Sequence, residues 1–247
     1  MSKKAIVLIS GGVDSLAALL IALKKFKKEE VLALYVALGS RYQSREILAV
    51  HKLISQLDVD FQIHKGVDLG EYEKKDSHIP YRNLFLAGIA CYYLSDGGNI
   101  YLQNVQLGES NIGDRTSKFN RLLQMTLSEA DKKNITIISP FANITKERIV
   151  DYVLSNHENG IELLKRTYSC FSGTKDPCGR CAACIRMWFA LEASNLDGDG
   201  PISFVRNPLK SRLMKTQYIR GLNDGKYVGA REDMMKAVLK KHGVAIW

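Results

Sequence analysis

Apolar and polar positions follow two periods along the first two thirds of the chain. The continuous apolar runs Ala5-Ile6-Val7-Leu8-Ile9 and Val31-Leu32-Ala33-Leu34-Tyr35-Val36 have the length of strands buried on both faces. Between them, Leu16, Leu19, Leu20 and Leu23 recur at helical spacing, and Ser44 to Leu57 reads as a second, amphipathic helix. Further along, the pattern predicts strands at Asp60 to His64, Asn99 to Val105 and Ile135 to Ile138. Helices are predicted at Leu84 to Leu94, Phe119 to Ala130 and Lys146 to Leu154, with Asp96-Gly97-Gly98 as a break. Strand and helix alternating at such short intervals predict right-handed crossovers. The fold class is therefore α/β, a doubly wound parallel five-stranded sheet with helices on both faces. Ligands in such sheets bind at the carboxyl ends of the strands, which puts Ser10 to Ser15 and Ala37 to Arg41 on one rim.

From Thr167 onward the texture changes to small residues, cysteines and turn formers. Beyond Ser194, Asn-Leu-Asp-Gly-Asp-Gly-Pro marks a linker into a basic C-terminal segment. The expected organisation is a doubly wound domain over 1–166, a cysteine-rich segment over 167–194 and a basic extension over 195–247. With 247 residues and 46% apolar content, the chain can bury a full core. The apolar stretch after Lys3 and Lys4 is too short for a signal peptide, and no run reaches the eighteen or so apolar residues of a membrane span. The chain is accordingly read as cytoplasmic and soluble, with no membrane partner. Its formal charge of +9 suits a nucleic-acid binder and equally an enzyme handling ATP, pyrophosphate and a carboxylate. Ten Lys/Arg against five Asp/Glu after Asn195 concentrate that excess in the tail. Arg206, Lys210, Arg212, Lys215 and Arg220, with Tyr218 and Tyr227 between them, would serve a nucleic-acid or protein contact. The plainer reading is a basic, helix-containing cap or dimer element.

The hexapeptide Ser10-Gly11-Gly12-Val13-Asp14-Ser15 turns the first strand into the first helix. Two glycines let the backbone approach a phosphate, two serines add hydroxyl donors, and the helix start presents unpaired N–H groups. It is not a Walker A loop, which needs a G-x-x-x-x-G-K-[ST] lysine, nor does it have the spacing of a dinucleotide fingerprint. The alternative is a plain Gly-Gly turn capped by Asp14 or Ser15. As it stands, the motif resembles the pyrophosphate loop of ATP pyrophosphatases, which cut ATP between the α and β phosphates.

Cys170, Cys178, Cys181 and Cys184 give C-x7-C-x2-C-x2-C, four thiolates within fifteen residues. In a reducing compartment such cysteines call for a metal rather than disulfides, and a closed four-sulfur shell suits structural Zn²⁺ with Zn–S near 2.3 Å. An iron–sulfur cluster is the alternative ligand set. Ala182, Ala183 and Ile185 are interleaved, rather than aromatic or basic residues. The site therefore reads as a staple for a helix at Arg186 to Ala193, and not as a nucleic-acid knuckle. Cys91, inside an apolar helix, reads as a buried small hydrophobe.

Taken with Pro80-Tyr81-Arg82-Asn83-Leu84-Phe85, these motifs resemble the 7-cyano-7-deazaguanine synthase family of the queuosine precursor pathway. Tyr35 to Tyr42 with Glu46 is similar to the family's Asp-Tyr-Gly-Gln-Arg-His segment and later Glu. Ser139-Pro140-Phe141 with Lys146 is similar to its Thr-Pro-Leu and downstream Lys, and Thr167 to Gly173 leads into the cysteines. The likeness runs from about residue 5 to 190. It implies an adenine nucleotide alpha hydrolase-like fold with a C-terminal zinc-knuckle helical subdomain, and ATP, Mg²⁺ and Zn²⁺ as cofactors. It further implies a 7-deazapurine carboxylate and ammonia as substrates, and a homodimer. By the same resemblance, Leu8, Ser10, Gly11, Gly12, Val13, Asp14, Ser15 and Lys146 bind the nucleotide. Asp14, Lys146 and Arg82 act in the chemistry, and Arg41, Arg82, Asn83, Asp114 and Arg115 meet the substrate. Where the family has Tyr-Pro-Asp-Cys-Arg this chain has Ile112-Gly113-Asp114-Arg115-Thr116, and Gln103 stands where a glycine is expected. Three further readings stay open: an enzyme acting on a related deazapurine, one adenylating a tRNA base, and a non-catalytic nucleic-acid or assembly module.

Overall fold

The computed structural model describes residues 2–103, 113–196 and 200–246. Val105, Ile112 and the linker residues Asp197 to Asp199 lie outside the described residues. The described residues build five parallel strands, β1 (Ala5–Leu8), β2 (Val31–Val36), β3 (Phe61–His64), β4 (Gly98–Tyr101) and β5 (Ile135–Ile138), in the order β3-β2-β1-β4-β5. Order reverses between β1 and β4, and a doubly wound sheet opens its ligand crevice at that switch point. Helices α1 (Val13–Lys25), α2 (Gln43–Leu57), α3 (Arg82–Cys91), α4 (Ser117–Asp131), α5 (Lys146–Asn156) and α6 (Gly160–Arg166) connect or flank the strands.

Side chains of a strand alternate between faces, so the uninterrupted apolar runs of β1 and β2 feed two cores. Ile6, Leu8, Leu32 and Leu34 pack with Ala87 and Ala90 of α3 and Leu123 of α4. Ala5, Val7, Ala33 and Tyr35 pack with Ala18, Leu19 and Ala22 of α1 and Val50 of α2. The edge strands β3 and β5 are only partly buried. α3 begins two residues before the predicted Leu84 and ends at Cys91 rather than Leu94. Its N-cap, Tyr81, adopts φ +59°, a left-handed corner that the periodicity of the helix does not carry. Cys91 is half-buried at the edge of the first core, where burial raises its thiol pKa.

The helix predicted from Arg186 starts earlier, as α7 (Ala182–Ala193), with Cys181 as its N-cap. α7 is apolar almost all round because it separates two cores. Met187, Ala190 and Leu191 join Ile149, Val150 and Val153 of α5, while Ile185, Trp188 and Phe189 face the other way. There they meet Met214 and Tyr218 of a π-helical turn (Met214–Ile219), Leu222 of α8 (Arg220–Asn223) and Met235, Val238 and Leu239 of α9 (Ala230–Lys241). Among the described residues no helix is long and apolar enough to cross a membrane.

Candidate active site

β1 hands the chain to Ser10-Gly11-Gly12, and α1 begins at Val13 with Gly12 as its N-cap. Ser15 Oγ closes the loop: it donates to Gly12 O at 2.9 Å and accepts from the Ser10 N–H at 3.1 Å. The first N–H groups of α1 have no intrahelical acceptor, and Gly12, Asp14 and Ser15 line a cavity there, a ready anion site reinforced by the helix dipole. The two glycines do different work. Gly11 has φ +77°, and a Cβ there would lie 2.9 Å from the Cβ of Ala49 and 3.1 Å from the carbonyl of Glu46. It lets β1 cross tightly under α2. Gly12 has ordinary φ and borders the cavity beside Ser169. Gly11→Ala therefore combines backbone strain with a clash. It is expected to cost about 2–4 kcal/mol and lower Tm by roughly 4–16 °C in a thermal melt, whereas Gly12→Ala costs much less.

Lys146 is the first residue of α5, 132 positions away in sequence from Asp14, yet its ammonium lies 2.9 Å from both carboxylate oxygens of Asp14. A lysine at a helix N-terminus opposes the dipole, and Lys146 is also buried. Neither position is one a solvated lysine takes, so the pair with Asp14 is what holds the cation over the loop. Asp14 in the first turn of α1 is favoured by that helix's own dipole.

Beyond this pair opens a cavity of ≈ 430 Å³ at the β1–β4 switch. Four cations, Lys146, Arg82, Arg115 and Arg186, line it against the carboxylates Asp14, Glu46 and Asp76. Arg115 is depressed to about 10, first by burial and then by Arg82. Asn83 ties α3 to the 113–115 turn: its backbone N–H donates to Asp114 Oδ2 at 3.3 Å and its Nδ2 to Asp114 O at 2.8 Å. Of the predicted site residues, Leu8, Ser10, Gly12, Asp14, Ser15, Arg82, Asn83, Arg115 and Lys146 line the cavity. Gly11, Val13, Arg41 and Asp114 are not among its lining residues. Val13 is core. Arg41 is a strut, pairing with Glu73 at 3.3 Å and donating to the carbonyls of Phe171 and Lys75, both at 3.2 Å.

Residue types alone do not point to His78, Gln103 or Arg186, which the fold adds to the cavity wall. Glu46, quoted above only through the resemblance, also lines it and accepts from Tyr35 Oη at 2.8 Å. Desolvation pushes its pKa up to about 7, against the pull of the Tyr35 hydrogen bond and Arg82. Because the folded value is raised, the stability that protonation confers is complete below the unfolded value near 4.5 and is lost as pH rises through about 7. Glu46→Gln keeps the acceptor and drops the charge. Its Tm is expected to fall less than that of the parent between pH 5 and 8, the gap at pH 8 corresponding to at most about 3 kcal/mol. Parallel melting curves across that pH range check this.

The four cysteines converge. Their Sγ atoms lie within 4.8 Å of one another, with Cys170–Cys181 at 4.0 Å and Cys178–Cys184 at 3.9 Å. Tetrahedral Zn–S bonds of about 2.3 Å require sulfurs about 3.8 Å apart, so the set fits zinc. Backbone N–H groups of Cys178 and Ser172 point at Cys170 Sγ (3.3 and 3.5 Å), and that of Arg180 at Cys178 Sγ (3.4 Å). Gly179, at φ +71°, leaves no room for a Cβ, which would lie 1.8 Å from Arg206 O. The knuckle abuts the phosphate loop: the Tyr168 N–H donates to Gly11 O at 2.8 Å, and Phe171 and Arg186 flank the cavity with the guanidinium 5.9 Å from the ring centroid.

The family described as "Queuosine biosynthesis protein QueC" matches residues 4–75 and 60–195. The 7-cyano-7-deazaguanine synthase of Aliarcobacter butzleri (strain RM4018) is 27% identical over 209 residues, 74% of this chain and 88% of that protein. That of Marinomonas sp. (strain MWYL1) is 28% identical over 208 residues, covering 74% and 91%. The Aquifex aeolicus (strain VF5) protein of the same name is 26% identical over 216 residues, covering 75% and 95%.

Proposed function

Because the chain belongs to the family of the queuosine biosynthesis protein QueC, we propose that it is an ATP-dependent ligase making 7-cyano-7-deazaguanine from 7-carboxy-7-deazaguanine and ammonia. The relatives' names favour this over a tRNA-directed or non-catalytic role. The observation that carries the chemistry is the buried Lys146 ammonium held on Asp14 at the head of α1, beside a cavity rich in arginine. A carboxylate does not react with ammonia until it has a leaving group. Its oxygen attacks the α-phosphorus of ATP, the bond to the β-phosphate oxygen breaks, and pyrophosphate departs. Ammonia adds to the acyl carbon and loses a proton as AMP leaves, giving the amide. The amide oxygen then takes a second adenylyl group in the same way while the nitrogen gives up one proton, and loss of AMP with the remaining N–H proton leaves the nitrile.

In this scheme the protein's work is positioning and charge. Backbone amides from Gly11 to Ser15, the Ser10 hydroxyl and the adjoining end of β1 at Leu8 hold the polyphosphate, and Lys146 takes the developing pyrophosphate charge. Arg82 and Arg115 hold the acid, Asn83 and Asp114 set the wall that presents them, and Arg41 braces the loop opposite. Asp14 is the carboxylate for Mg²⁺, which supplies further charge neutralisation when bound. Incubation with Mg-ATP, ammonium and 7-carboxy-7-deazaguanine is expected to yield AMP, pyrophosphate and the nitrile by mass spectrometry. No AMP from zinc-loaded protein would overturn the reading.

A further inference from the structure

β4 ends at Tyr101, and the chain carries Leu102 and Gln103 past the sheet at the switch point. Leu102 belongs to the apolar cluster that includes Leu86, Ala87 and Ile89 of α3, and Gln103 follows it into the wall of the cavity that Arg82 and Asn83 also line. Gln103 lines the cavity, and its amide Nε2 and Oε1 are both shut off from bulk water without a hydrogen-bond partner among the described residues. His78, another lining residue, has its Nδ1 in the same condition.

Each buried polar group left unpaired costs about 1–3 kcal/mol, and native interiors keep few of them. An apolar side chain of the same length would fill the space at no such cost, so the packing gives no reason for the amide. A ligand gives one. The terminal torsion of glutamine is soft, and a turn about it aims donor and acceptor together into the cavity. A planar heterocycle with an oxo acceptor beside a ring N–H donor pairs with such an amide through two parallel hydrogen bonds, the geometry by which Gln reads base edges elsewhere. Adenine also offers a donor beside an acceptor. His78 decides between them: Arg115 is the foremost charge acting on it and Arg82 the foremost on Arg115, so the second unpaired group stands among the cations a carboxylate needs, whereas the nucleotide's phosphates need the loop at the head of α1.

We infer that Gln103, seconded by His78, reads the oxo and ring N–H edge of the acid substrate's heterocycle and sets base specificity. This rests on the synthase reading above. The test is Gln103→Leu, with Gln103→Met as the alternative where the Leu variant is not folded, measuring KM for each substrate and Tm. KM for 7-carboxy-7-deazaguanine is expected to rise roughly tenfold to hundredfold, as the loss of two neutral hydrogen bonds implies. KM for ATP stays as it was, and Tm holds or rises because the unpaired amide is gone. An unchanged KM for the acid, a rise in KM for ATP instead, or a fall in Tm with both constants impaired would each overturn the inference. Failure of the unsubstituted protein to turn over the acid overturns the synthase reading first, a result seen before any substitution is made.

Discussion

In the proposed reaction, Lys146→Met is expected to lower the rate of AMP release by about 10²–10³ while the protein stays folded and KM for the acid stays unchanged. Lys146 sits where a lysine is disfavoured twice, at the positive end of α5 and out of water, and its ammonium is held by Asp14 at 2.9 Å. That arrangement suits a cation that must meet an anion appearing only during reaction: pyrophosphate charge grows as the bond to the α-phosphorus breaks, and a positioned ammonium stabilises that state more than the ground state. Removing it leaves Asp14 partly exposed at the favourable end of α1, so the stability loss is small beside the kinetic one. Steady-state AMP formation with a thermal melt of the same sample separates the two. Full turnover by the variant would sink the assignment.

Stripping zinc, or replacing Cys178 and Cys184 together by Ser, is expected to lower Tm by about 10 °C or more and to weaken nucleotide binding as well. In small zinc domains the bound ion contributes an apparent 10–16 kcal/mol or so to folding. Here α7 already packs on two cores, so a part of that, several kcal/mol, is lost, at roughly 2–4 °C per kcal/mol for a chain of this size. The effect on nucleotide follows from contact. The strand of chain that enters the knuckle donates from Tyr168 to Gly11 O, sets Ser169 against Gly12, and carries Phe171 and Arg186 to the cavity wall. Loosening it loosens the phosphate loop. Native mass spectrometry should find one zinc per chain, with calorimetry reporting the nucleotide. Metal-free protein with unaltered Tm and ATP affinity would refute the coupling.

The parts of this molecule that were legible in advance are those in which a short stretch dictates its own surroundings. β5 spans Ile135 to Ile138 as periodicity indicates, and β1 and β2 declare burial on both faces by unbroken apolar runs. α6 escaped notice. It has seven residues, and only Leu163 and Leu164, tucked into the core that α5 and α7 share, give it reason to form. The C-terminal segment reads as basic because its charges, the buried Arg231 apart, are mostly outward; its apolar positions make sense only against Ile185, Trp188 and Phe189.

The same division runs through the site. Loop and cysteine spacing are local chemistry: a glycine pair at a strand-to-helix turn makes an anion site, and thiols two residues apart can reach one ion, whatever surrounds them. By itself the chain thus determined a doubly wound sheet, a glycine-rich turn at its first corner suited to an anion and a four-cysteine knuckle suited to a metal. Only the tertiary structure set Lys146 on Asp14, gave Gly11 to packing and Gly12 to the cavity, raised Glu46 toward neutrality and left the Gln103 amide without a partner among the described residues. Those properties depend on which distant groups share a low-dielectric space, and neither desolvation nor a missing hydrogen bond is written in residue order.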